Sequence, residues 1–134
     1  GCGSPECHGS WREYRRRMKV MLNFLATPFS LHPRGLDAAH REACFTAELV
    51  RRLGLDVYCP IEETFSVSKR TKIDPLDYEF WQAVIAPWIP RCDRILVAMI
   101  DGWEQSDGIE HERREFRRLG KPELLIHPFT LRPL

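Results

Sequence analysis

No apolar run in these 134 residues approaches the roughly 20 residues that a bilayer-spanning helix needs, so a transmembrane helix is set aside. There is no surplus of charge either. Lys and Arg number 20 against 19 Asp and Glu, a formal charge of +1, so the overall field gives no reason to expect a polyanion partner. A disulfide framework is missing: the five cysteines, Cys2, Cys7, Cys44, Cys59 and Cys92, are odd in number and unevenly spaced. That pattern suits free thiols in a reducing, cytoplasmic compartment. Metal-ligand spacing is also lacking. Cys2, Cys7 and His8 lie close together, but no second pair follows at finger-like spacing, and His32, His40, His111 and His127 stand at no ligand distance from acids or thiols. Neither a metal nor a cofactor is expected.

What is present is a hydrophobic content of 43%, enough for one ordinary core, and a length typical of one domain. Residues 1–17, with Gly, Ser, Pro, Cys and the basic run WREYRRR, lack sustained periodicity and read as a flexible basic tail before a single domain over 18–134. The run RRRMKVMLNFLA has the outline of a signal peptide. Its apolar part is short, is interrupted by Asn23 and enters TPFS, which reads better as a buried strand entering a loop.

The strand signal covers residues 18–26. Asp37 offers a cap for a helix to about residue 53, where Ala39, Ala43, Ala47 and Val50 recur at helical spacing before Gly54. Residues 56–59 read as a brief strand ended by Pro60, and residues 61–73 as a polar, irregular loop and candidate lid. Asp74 and Pro75 read as the opening of a helix that Pro87 should kink or end. DRILVAMID, residues 93–101, reads as a strand buried on both faces. A helix over 106–119 and a short strand over 123–127 complete the series. Strand and helix thus alternate, which implies an α/β fold: a three-layer, mainly parallel open sheet, flavodoxin- or Rossmann-like, of about five strands with helices on both faces. Ligands of such sheets bind beyond the carboxyl ends of the strands, so the loops after Ala26, Cys59 and Asp101 should converge on one cleft.

The last helix carries a misplaced charge. At 100° per residue, Ile109, Phe116 and Leu119 fall in one sector while Arg113, Arg114, Arg117 and Arg118 point elsewhere, and Glu112 falls inside the apolar sector. A carboxylate turned toward a core needs hydrogen bonds or a cation. It is either a structural acid or a partly desolvated nucleophile beside a cleft. The preceding SDGIEHE favours the second: Ser106 caps the helix, Gly108 permits close approach of a ligand, and the first free amides suit an anion or a polar sugar. Trp103, just beyond a strand end, is placed to stack on a base, while Phe80, Trp81 and Trp88 read as core or subunit contacts.

ILVAMIDGWEQSDGIEHERREFRRLGKPELLI resembles the carboxyl-terminal half of the nucleoside 2-deoxyribosyltransferase-like superfamily, its uncharacterised bacterial and phage domains above all. A strand leads to Ser-x-Gly-x-x-x-Glu opening a helix, then Gly-Lys-Pro before a last strand: Ser106, Gly108, Glu112, Gly120, Lys121 and Pro122. The resemblance spans residues 18–127. It implies that Glu112 is the nucleophile of an N-glycosidase or deoxyribosyltransferase acting on nucleosides or nucleoside monophosphates, that Thr27 and Ser30 lie near sugar or phosphate, and that Asp101 orients the site. It also implies a homodimer or higher homo-oligomer. One position departs from the pattern: an acid eight residues before Asp93 is usual, and Ile85 stands there.

Two readings compete with an enzyme. A noncatalytic nucleotide-binding or sensing module would keep the amide-lined site without the chemistry. Nucleic-acid contact through Arg113, Arg114, Arg117 and Arg118, with Arg15, Arg16 and Arg17, ranks last, because Glu110, Glu112 and Glu115 interrupt the cluster and pairs such as Glu110 with Arg114 account for it.

Overall fold

The computed structural model describes residues 21–132, so the expectations for the tail and for a strand beginning at residue 18 lie outside it. Four apolar runs become strands β1 (Leu22–Ala26), β2 (Asp56–Tyr58), β3 (Arg94–Ala98) and β4 (Glu123–Ile126). They form one sheet in the order β2-β1-β3-β4, and every neighbouring pair is parallel. Four strands stand among the described residues where about five were expected; only four strand-like runs exist in this stretch.

Between the strands lie helices α1 (Leu36–Arg52), α2 (Pro60–Arg70), α3 (Tyr78–Ile85) and α4 (Asp107–Arg118). Alternation along the strands divides the core in two. Phe24, Ala26, Ile95 and Val97 pack with Ile85 of α3 and with Ile109 and Phe116 of α4. Leu25, Leu96 and Ala98 pack on the other face with Ala43, Ala47 and Val50 of α1, whose small side chains let the helix lie close to the sheet. The result is the three-layer α/β architecture. Phe24 ties its layer together, with ring centroids 5.7 Å from Tyr58 and 5.3 Å from Phe116. Burying one such side chain contributes about 1.5–3 kcal/mol.

Asn23 is fully buried in β1 yet does not break it. Its amide nitrogen donates to the Asp56 carbonyl at 2.9 Å, and its oxygen accepts from Arg94 Nε, so the polar group is satisfied across three strands.

Several local expectations need correction. Residues 61–73 are not a loop: α2 occupies Pro60–Arg70, with Pro60 in the first turn, Glu62 and Glu63 beside it, and Lys69 and Arg70 in the last turn, all favourable to a helix. Its buried face is Thr64, Phe65 and Ser68, too polar to read as a stripe. Asp37 does not cap α1. Gly35 holds the cap position, and Asp37 in the first turn pairs with Lys69 of α2 at 3.0 Å. Asp74 and Pro75 form a turn, closed by Leu76 N donating to Asp74 Oδ1, and Asp77 caps α3 instead. Pro87 sits in the 3-10 turn Ala86–Trp88 that ends α3, as expected. The helix bearing Glu112 stops at Arg118, which leaves Leu119 past the last turn and 37% exposed rather than in the core.

Lys121 gives Gly-Lys-Pro a structural meaning. Its ammonium donates to the carbonyls of Ile89 (3.2 Å), Pro90 (2.7 Å) and Cys92 (2.6 Å), fixing the turn that feeds β3. Cys44, Cys59 and Cys92 are free thiols. Among the described residues no helix is long and apolar enough to cross a membrane.

Candidate active site

The sheet order places β1 and β3 side by side at the centre, the point where the chain turns from one side of the sheet to the other and where open α/β sheets leave a crevice. A cavity of about 440 Å³ lies there, within the range of small-molecule sites. The loop after β1 brings Thr27, Phe29 and Ser30 to it, and α2 brings Pro60, Ile61 and Thr64. From the other side come Tyr78, Trp81, Gln82 and Ile85 of α3, and Ser106, Asp107, Gly108 and Glu112 around the start of α4.

Ser106 caps α4, accepting from the Ile109 amide at 3.2 Å, so the helix start and the cavity edge are fixed by one side chain. A side chain at Gly108 would meet within 4 Å only Ser106 Oγ, at 3.8 Å, so the protein's own packing does not demand glycine there.

One turn later Glu112 points inward between Ile109 and Phe116. It is 6% exposed, and its Oε2 has no hydrogen-bond partner among the described residues. Burial alone pushes its carboxyl up to about 8, because the charged form has lost water and gained nothing in exchange. The hydroxyl of Thr27, in the same wall, is likewise buried and unpartnered. Two unsatisfied polar atoms at one cavity are costly to a fold that gets nothing from them. Tyr78 also feels the site: burial first, then the charge of Glu112, raises its hydroxyl above the ordinary tyrosine value.

Five of the seven residues singled out from sequence therefore meet: Thr27, Ser30, Ser106, Gly108 and Glu112. Asp101 and Trp103 do not line the cavity. Asp101 is exposed and bound to Arg34, Nη1 to Oδ2 3.1 Å. Trp103 packs against the core, its ring 5.8 Å from the Arg113 guanidinium carbon. The loop after Ala26 reaches the cavity as expected; after Cys59 it is helix α2 that does so, and the loop after Asp101 reaches it only at Ser106.

Sequence reasoning missed Tyr78, Trp81 and Gln82. Trp81 passed for a core aromatic, which it also is, donating Nε1 to the Asp74 carbonyl at 2.8 Å. No local signal marks Tyr78 or Gln82, because their role depends on α3 lying across the mouth of the sheet.

Residues 21–127 match the family described as Domain of unknown function (DUF1937). The chain belongs to that family. Among curated proteins nothing matches it significantly. The DUF1937 region takes in all four strands and every residue of the cavity wall, so the site is part of the family's domain and not an addition to it.

Proposed function

We propose that this domain is an N-glycosidase or deoxyribosyltransferase acting on nucleosides or nucleoside monophosphates, with Glu112 as nucleophile. The observation that carries the reading is Glu112 itself, a carboxyl on the wall of a ligand-sized cavity with an oxygen left unpartnered. Such a group has no evident structural duty. In the proposed step an oxygen of Glu112 attacks the anomeric carbon as the bond to the base breaks, and water or a second base later releases the sugar. Thr27, Ser30 and Gly108 supply polar and open surface for the sugar. Leu76, Tyr78, Phe80 and Val84 are exposed on and just before α3, apolar surface that a homodimer would have available to cover.

One observation favours a noncatalytic nucleotide-binding module: with its carboxyl raised to about 8, Glu112 is mostly uncharged at neutral pH, and Ile85 brings no second acid. Incubation of the purified protein with nucleosides and their 5′-monophosphates, followed by chromatography for free base, separates the two. Base release by the native protein and silence of Glu112→Gln supports the enzyme. Thermal stabilisation by ligand, of size RT ln(1 + [L]/Kd), without release supports the module.

A further inference from the structure

The cavity wall is lopsided in charge. Among the described residues the charged side chains lining it are Asp107 and Glu112, and no Lys or Arg is present. Three of the four arginines of α4 are paired with acids outside the cavity wall: Arg113 Nε with Glu123 at 2.6 Å, Arg114 with Glu110 at 2.7 Å and Arg118 with Glu115 at 2.8 Å. Among the described residues a phosphate entering the cavity would meet the Asp107 carboxyl with no Lys or Arg beside it, and only the first amides of α4 to receive it. Phe29, Tyr78 and Trp81 contribute aromatic surface, which attracts a cation electrostatically as well as a flat ring.

Leaving-group chemistry points the same way. A neutral nucleoside expels its base as an anion unless an acid delivers a proton, and among the described residues the one carboxyl on the wall besides Glu112 is the exposed Asp107 at the start of α4. A base that already carries a positive charge on its glycosidic ring departs as a neutral molecule and needs no such acid.

Resting on the glycosidase reading, we propose that the preferred substrates are N-glycosides whose base carries a formal positive charge, pyridinium or N-alkylated purine nucleosides, without a 5′-phosphate. The cation placed beside Glu112 favours the ionised carboxyl, so the substrate itself prepares the nucleophile and one proton passes to solvent. The carboxylate oxygen then forms a bond to the anomeric carbon while the carbon–nitrogen bond breaks, its electron pair staying on the ring nitrogen and cancelling the positive charge. Water next adds hydroxyl to that carbon and returns a proton to the carboxylate, giving free sugar and the neutral acid.

The test measures base release from nicotinamide riboside and N7-methylguanosine against guanosine and 2′-deoxyguanosine, and from the 5′-monophosphate of each. Every rate is divided by that compound's spontaneous rate in the same buffer, which removes the greater intrinsic lability of the cations. The expected result is a rate enhancement at least ten times larger for the cationic nucleosides, a tenfold or greater loss on adding the phosphate, and no enhancement by Glu112→Gln. Equal or greater enhancement for guanosine, still dependent on Glu112, overturns the charge preference and leaves the glycosidase reading standing. Equal enhancement with and without phosphate overturns the phosphate exclusion. Release from none of the compounds overturns both readings together.

Discussion

Ile85, the last residue of α3, lines the same cavity as Glu112 of α4, so hydrocarbon stands in that wall where the resemblance implies an acid. Burial is the cause of the raised proton affinity of Glu112. In the free protein burial thus favours the uncharged acid; under the proposed function, a bound cation would favour the carboxylate.

Stability should record the uncharged acid. The carboxyl titrates near 4.5 unfolded and about 8 folded, so the folded protein holds one more proton between those values. The contribution is complete below pH 4.5 and is lost as pH rises through 8. A tenfold difference in proton affinity is worth about 1.4 kcal/mol, so the loss amounts to a few kcal/mol. Denaturant unfolding at several pH values should show this decline in the native protein and its absence in Glu112→Gln, which should be the more stable of the two at pH 9. An unchanged slope in the variant would mean that Glu112 is not the titrating group.

Glu42 should have the opposite sign. Burial acts to raise its proton affinity, but hydrogen bonds from His32 and Arg34 outweigh it and hold the carboxyl below its usual range. The Arg34 amide donates to His32 Nδ1 at 3.1 Å, so Nε2 carries the hydrogen that reaches Glu42 Oε2 at 2.5 Å. The stabilisation is present above the ordinary carboxylate range and lost as pH falls below it. Glu42→Gln should therefore flatten the acid limb of the stability profile; a limb as steep as before would contradict the assignment.

Lys121→Met removes one cation from three carbonyls. Because charge-assisted bonds are among the stronger ones and their partners are left half-buried, a loss of about 2 kcal/mol is expected, seen as a lower urea midpoint with little change in the slope. Ser106→Ala should cost about 1 kcal/mol through the lost cap, and Ser106→Asp should restore most of it.

Asp101 and Trp103 supply a contrast inside the site hypothesis. Neither lines the cavity, so Asp101→Asn and Trp103→Phe should leave base release within about twofold of the native rate, as substitutions away from a site do. A loss approaching that of Glu112→Gln would place the reacting centre closer to Asp101 than the cavity is.

The parallel sheet was legible in the sequence because each strand is a short apolar run and each intervening stretch carries a helix signal of its own. Glu112 was legible for the same reason, one charge in the stripe of Ile109 and Phe116. Where the signal was composite, reading failed. α2 buries Thr64 and Ser68, which satisfy their hydroxyls on the Pro60 and Phe65 carbonyls, so its inner face looks polar in sequence. Asp74 and Asp77 both suit a cap, and only the packed position of Trp81 decides between them. Asp101 was selected as an acid at a strand end, but its partner Arg34 lies 67 residues earlier, a pairing that no local pattern encodes. The cavity wall of Tyr78, Trp81 and Gln82 is a product of how α3 lies across the sheet, and sequence spacing carries no record of that.

The most direct test of Glu112 as nucleophile is intact-mass and peptide mass spectrometry after acid quench during turnover of a nucleoside that releases base. The account predicts a mass increase of one sugar residue on the peptide containing Glu112, disappearing when substrate is exhausted and never forming in Glu112→Gln. Base release at an undiminished rate by Glu112→Gln, with no sugar attached to that peptide in the native protein, would contradict it.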